Sequence, residues 1–390
     1  MLNSRGWPVL FSASVGMALL GCSSETLAPD PIPVDPATAT GPAGVLTVKL
    51  GAIVNTNAPT AERDERLAQV LTEASTAVAT GAAVEIEIIR IDEVSDVEAA
   101  VSTLAGRGVT VIAALCDDAS VPSIVDAAVD NGMLAITACV TLPTPTLTSS
   151  SPMFIDLAGM HDAPAAIAAW SEQLDPRSVA TIRSDLIDDV ETTCVDVESE
   201  LAEIDLALGG SITFTELVDD PVAIVETSGP LLSEVDVIVL CALPPSTGDV
   251  VAALRQVGLD QPVVVPWFAD TQLWPDSVND VFLISPASRH GDDPAEAVRD
   301  LLDAVGPDAT AVDVVAADSI AMLSIAAQRE GSVGASRLSE SMRRMPTDVV
   351  SGSLSLVEGG SQTSDRSYRV IGITDGEAEF ESLVTPTSEG

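Results

Sequence analysis

VLTVKLGAIV (Val45–Val54), VEIEIIRI (Val84–Ile91), VTVIAALC (Val109–Cys116) and LAITACV (Leu134–Val140) are the four runs on which the fold turns. All are short and rich in Val, Ile and Ala, and the last two lack polar alternation. Such runs are typical of strands whose sheet is covered by helices on both faces. The segments between them predict helices over Ala61–Val78, Val97–Gly106 and Val121–Asn131. Strand, crossover helix and strand with short connections predict a parallel sheet with right-handed crossovers.

The pattern restarts after Val140. Strands are predicted at Met153–Leu157, Val179–Ile182, Ile212–Leu217, Val235–Cys241, Val263–Trp267 and Val281–Ile284. Helices are predicted at Pro164–Leu174, Asp189–Leu206, Val222–Leu232 and Gly248–Val257, then at Pro294–Val305, Val312–Arg329 and Ala335–Met345. From Gly352 the texture changes. Ser353–Val357, a Gly-Gly-Ser turn, Ser367–Thr374 and a turn at Asp375-Gly376 read as a hairpin or edge strands. The expected fold is therefore α/β, two successive doubly wound parallel sheets.

The chain carries a formal charge of −42, and Lys49 is its sole lysine. Acidity spread along the whole chain repels nucleic acid, whose binding needs Lys and Arg against phosphate. It also disfavours an anionic membrane surface approached through basic patches. Dispersed acidity with little lysine suits a protein kept soluble at high ionic strength. A composition that is 46% hydrophobic still supplies a core.

The N-terminus reads as an export signal, with Arg5 ahead of an apolar run from Trp7 to Gly21 too short to span a bilayer. Its end, Leu19-Leu20-Gly21-Cys22, resembles the lipobox of bacterial lipoproteins, which implies a lipid on Cys22 and an extracytoplasmic, membrane-anchored protein. Ser23 to Gly44, with Pro29, Pro31, Pro33, Pro36 and Pro42 and no apolar periodicity, reads as a tether. The expected organisation is a signal peptide over 1–21, a tether over 22–44 and lobe one over 45–158. Lobe two follows over 159–285, then helices returning to lobe one and the hinge over 286–350, and a β-rich segment and tail over 351–390. With Cys22 acylated, four cysteines remain. Cys116 and Cys139 end two neighbouring strands, so they form one candidate disulfide and leave Cys194 and Cys241 for a second; buried free thiols are the alternative. A zinc site is disfavoured because Cys-x-x-Cys is absent and His161 and His290 stand apart.

Lipobox, tether, two βα halves and a β-rich tail together resemble the type I periplasmic substrate-binding proteins, especially the Leu/Ile/Val-type receptors of branched-chain amino acid ABC importers. The likeness spans Val45 to Phe380. Local echoes are Val45–Gly51, Ala252–Leu259, and Arg369–Gly372 with Asp375-Gly376. It implies two lobes joined by a multi-strand hinge of three crossovers, with the ligand between them, beyond the carboxyl ends of the strands. Carried over by position, lobe one contributes Asp117, Asp118 and Ser120 after its third strand, and Ala138, Cys139 and Thr141 after its fourth. Lobe two contributes Asp185, Leu243, Phe268 and Asp270, the last placed where a carboxylate would hold an α-ammonium. Asp117 and Asp118 depart from the family pattern, since they repel a carboxylate; one of them serves equally as a helix N-cap. Trp267 and Phe268 suit core or cleft wall alike. Were all four aspartates to face the cleft, the site would prefer a cationic or zwitterionic ligand.

Catalysis is disfavoured. Gly-x-Ser-x-Gly, a phosphate-cradling Gly-rich loop ending in Lys-Ser/Thr, and Gly-x-Gly-x-x-Gly after the first strand are all missing. The resemblance implies no cofactor, a small-molecule ligand such as an amino acid or amide, ABC permease subunits as partners, and a monomer. A sensory lipoprotein or an interaction module of the same fold are the alternatives.

Overall fold

The computed structural model describes residues 46–116, 119–139, 151–157, 162–185, 188–215, 219–270, 274–289, 293–306, 309–344, 346–356, 363–364 and 366–386. The tether, Cys22, His161 and His290 fall outside them.

The first lobe alternates β1 (Thr47–Asn55), α1 (Ala61–Ala77), β2 (Ala83–Ile91), α2 (Val97–Gly106), β3 (Val111–Ala114), α3 (Val121–Asp130) and β4 (Leu134–Thr137), and ends with β5 (Phe154–Ile155). Its sheet runs β2-β1-β3-β4-β5, every pair parallel. β3 and β4 are buried at every position, the state that their unbroken apolar runs predict. The strand expected at Met153–Leu157, which falls within the expected first lobe, forms the last strand of the first sheet. Pairing of Ala135 with Phe154 holds it there, an assignment that local pattern does not encode.

The second lobe comprises α4 (Ala163–Gln173), β6 (Ser178–Ser184), α5 (Asp188–Glu203), β7 (Ala207–Phe214), α6 (Pro221–Leu232), β8 (Val237–Cys241), α7 (Ser246–Gln256), β9 (Val263–Pro266) and β10 (Val281–Ser285). The strand expected at Ile212–Leu217 starts earlier, at Ala207, because Gly209-Gly210 hides its first half from a propensity reading. The chain then returns to the first lobe as α8 (Glu296–Val305), α9 (Ala311–Glu330) and α10 (Ala335–Arg344). These share one core with β1, β3, β4 and α1. α9 is long and apolar enough to cross a membrane, but it is the buried central helix of that core. A small sheet follows, of β11 (Thr347–Val349), β12 (Gly352–Leu356) and β13 (Thr363–Ser364). Last come β14 (Tyr368–Thr374) and β15 (Glu377–Val384).

The second sheet is ordered β15-β14-β10-β9-β8-β6-β7. Five of its strands are parallel and repeat the order of the first sheet; β14 and β15 add antiparallel pairs at one side. Asp375 and Gly376, both at positive φ, close the β14–β15 hairpin as a two-residue turn of this kind requires.

Cys116 is bonded to Cys139, and Cys194 to Cys241, with Cα–Cα distances of 5.2 and 5.9 Å. The first bridge joins the carboxyl ends of β3 and β4, and the second joins α5 to β8.

Candidate functional site

In doubly wound sheets, ligands gather beyond the carboxyl ends of the strands, where connections diverge to either face. In this protein the region holds a cavity of about 400 Å³ whose walls come from both lobes. The first lobe contributes Arg63, Arg66 and Leu67 from the opening of α1, which follows β1, and Thr310 to Asp313 at the start of α9. The second contributes Leu243 after β8 and Trp267, Phe268 and Asp270 after β9, while Arg289 follows β10.

Several local bonds set these walls. The buried Asp64 of α1 accepts the Cys116 backbone N–H at 2.7 Å, which ties the first turns of α1 to the loop after β3. Thr310 and Asp313 form a capping box at the start of α9, with the Thr310 N–H donating to Asp313 Oδ2 at 2.9 Å. Arg66 Nη2 lies 3.4 Å from the same carboxylate oxygen. Burial pushes the Asp313 carboxyl up, against the pull of the Thr310 bond and of Arg66. Trp267 and Phe268 meet edge to face, with ring centroids 5.5 Å apart at 82°.

Asp270 and Arg289 form a two-pronged pair. Arg289 Nε lies 3.0 Å from Oδ2, and Nη2 donates to Oδ1 at 3.1 Å. Both side chains are mostly buried. Burial pushes the Asp270 carboxyl up to about 6, with Arg289 pulling the other way.

The cavity brings together only part of the predicted set. Leu243, Phe268 and Asp270 line it, and so does Trp267. Ser120, Ala138 and Cys139 are buried at the ends of β3 and β4 and are not among its lining residues, Cys139 being held in its disulfide. Asp185 follows β6 beside the end of β7, where it accepts the Thr215 hydroxyl at 3.0 Å, and it is not among the lining residues. Asp117, Asp118 and Thr141 lie outside the described residues. Of the four aspartates expected around the cleft, Asp270 is thus the one among the described residues that lines this cavity. Among the described residues, three arginines and two aspartates line the cavity. Sequence reasoning missed Arg63, Arg66 and Arg289. The available signal was scarcity: the chain has only 17 basic residues, and two of them stand three apart just after the first strand.

Among the described residues no cluster of His, Cys, Asp or Glu is arranged to hold a metal.

Two doubly wound lobes with a walled cavity between them define a two-lobed binding protein. The periplasmic binding protein family matches residues 47–377, and the chain belongs to that family. Its members are binding proteins rather than enzymes and work outside the cytoplasm. No curated protein matches the chain in sequence. Among solved structures, the chain is similar to the leucine-binding protein LivK of Thermotoga maritima, with 17% identity, a TM-score of 0.62, and coverage of 87% of this chain and 99% of that one. The branched-chain amino acid binding protein LivJ of Streptococcus pneumoniae, in complex with isoleucine, gives 17%, 0.63, 87% and 100%. A solute-binding protein of Rhodopseudomonas palustris, in complex with 3,4-dihydroxybenzoic acid, gives 15%, 0.63, 87% and 98%.

Proposed function

We propose that this protein is the solute receptor of an ABC importer, tethered to the outer face of the cell membrane through a lipidated Cys22. It captures one small organic solute between its lobes as a monomer and presents the closed form to the permease. The observation that carries this reading is the cavity of about 400 Å³ walled from both lobes, a volume within the range of small-molecule sites. Solved relatives of the same fold hold isoleucine or 3,4-dihydroxybenzoic acid, which sets the size of cargo to be tried first.

Ligand that binds only the folded state stabilises it by RT ln(1 + [L]/Kd), about 4 kcal/mol at a thousandfold excess over Kd. A thermal-shift screen of the full chain against amino acids, amides, aromatic acids and polyamines is expected to give a rise with one class. Small-angle scattering should show the same ligand reducing the radius of gyration, as closure of two lobes requires. No shift with any class would refute the receptor reading. For the anchor, Cys22→Ala is expected to abolish incorporation of labelled fatty acid and to release the protein from the membrane fraction.

A further inference from the structure

Reading the cavity as the solute site, we infer that Asp270 occupies on Arg289 the place that the cargo's carboxylate takes, so that the site selects a carboxylate with an apolar body over a zwitterion or a cation. Three features carry this. The first is charge: among the described residues, Arg63, Arg66 and Arg289 line the cavity beside two aspartates. The second is the difference between those aspartates. Asp313 is committed, since it accepts the backbone N–H of Thr310 in the α9 cap and is 3% exposed. Asp270 is held differently, by the fork of Arg289 through two contacts of 3.0 and 3.1 Å. A guanidinium meets a free carboxylate in that same two-pronged geometry, so a ligand carboxylate can take the side chain's place with both of Arg289's bonds kept, while Asp270 gives up its two. The third is the remaining wall, where Leu243, Trp267 and Phe268 offer an apolar and aromatic surface.

The exchange is linked to protons. Among the described residues, the charged groups that line the cavity with Asp270 are Arg289 after β10, Arg63 and Arg66 on α1, and Asp313 on α9. Burial already favours the neutral form of Asp270, and its carboxyl titrates near 6. Protonation would free Arg289 and remove a negative charge from the cavity. A carboxylate ligand stays ionised above about pH 5, so its affinity should rise as pH falls from 8 to 5.5.

Calorimetric titration of the full chain with 4-methylpentanoate, benzoate, leucine and putrescine at pH 5.5 and 8 tests the inference. Leucine and 4-methylpentanoate share an apolar body and a carboxylate and differ in the ammonium group. At least one of the two simple carboxylates is expected to bind at least about tenfold tighter than leucine and putrescine, and more tightly at pH 5.5. Asp270→Asn is expected to tighten that carboxylate by about tenfold at pH 8 and to flatten the pH dependence. Arg289→Gln is expected to weaken it at least about thirtyfold, with the melting curve of each variant checking its fold. Tighter binding of leucine or putrescine, weakened by Asp270→Asn, would overturn the inference and leave the receptor reading standing. A pH effect that survives Asp270→Asn would assign it to another group, such as His290 beside Arg289 in sequence, and would also overturn it. Failure of both carboxylates with wild type and with Asp270→Asn overturns it as well, whereas the receptor reading falls only if the wider solute screen is flat.

Discussion

At the scale of single residues, this protein places charge where burial opposes it. Asp162, Asp270 and Asp313 all have carboxyls raised by burial. A carboxyl whose pKa is higher in the folded state takes up protons on folding, so its contribution to stability falls as pH rises between the unfolded and folded values. For Asp270 that window runs from the ordinary aspartate value of 3.8 to about 6. The full chain should therefore lose about 1 kcal/mol between pH 5 and pH 7.5 from this group, and Asp270→Asn should remove that part of the slope in melting curves. Arg366 poses a harder case. It is 1% exposed, its Nη1 lies 3.0 Å from Asp318 Oδ2, and its Nη2 donates to the Leu157 carbonyl at 3.1 Å. Removing one partner of such a pair costs about 3–5 kcal/mol, because the other charge remains buried and unpaired. Asp318→Ala is expected to lose that much in denaturant unfolding. Pairing Asp318→Leu with Arg366→Met should recover most of it, and a double variant as unstable as the single one would show that the charges themselves stabilise the fold. Of the cavity, the residues after strands were legible in the sequence, since Leu243, Phe268 and Asp270 follow apolar runs that end where open sheets expose their loops. Arg63 and Arg66 were not, because in a helix a polar residue facing a cavity has the same spacing as one facing bulk water. Arg289 follows the fifth parallel strand of the second lobe, β10, and lines the cavity with residues of α1 and α9 that are distant in sequence.

Between elements, the crossovers and disulfides decide what moves with what. Three passages join the lobes, after β5, after β10 and before β14, and buried polar bonds tie all three. Tyr368 donates to Asp162 at 2.5 Å, and Arg369 grips Asp293 through contacts of 2.9 and 3.1 Å. Arg369 also donates to the carbonyls of Pro286, at 2.9 Å, and of Ser351. The three passages are thus tied to one another, since each shares a partner with another. The disulfides act inside the lobes, closing segments of 23 and 47 residues. Chain-entropy loss in the unfolded state gives about 3 and 4 kcal/mol for loops of those lengths. Cys194→Ala with Cys241→Ala is thus expected to cost more than Cys116→Ala with Cys139→Ala, read as the loss of unfolding free energy extrapolated to zero denaturant. The reverse order would mean that the bridge at the ends of β3 and β4 supports native packing beyond its loop. At this scale the sequence was most readable where strands are covered on both faces, as at β3, β4 and β8. It was least readable where a short strand depends on its neighbour, as β5 depends on β4. The period of a two-residue strand carries no information about which sheet it joins.

For the whole molecule the dominant quantity is its formal charge of −42, from 59 acidic and 17 basic residues. Two opposing effects of salt follow. Screening weakens exposed ion pairs such as Arg90–Glu65 and Arg177–Asp236, which contribute little in any case. It also weakens repulsion among acids that have no basic partner, and these outnumber the pairs because the acids exceed all Lys and Arg more than threefold. The Debye length falls from about 10 Å at 0.1 M salt to about 3 Å at 1 M, shorter than the spacing of most surface charges. Repulsion therefore wins. The melting temperature of the full chain is expected to rise by several degrees between 0.1 and 1 M NaCl, at about 2–4 °C for each kcal/mol in domains of this size. Guanidinium and urea then should disagree. Guanidinium chloride screens as it denatures and urea does not, so the stability extrapolated from urea at low salt should be the smaller by the repulsive contribution. Equal values, or a melting temperature that falls with salt, would mean that the paired surface charges outweigh the unpaired acids, and that the acidity of this chain costs its folded state nothing.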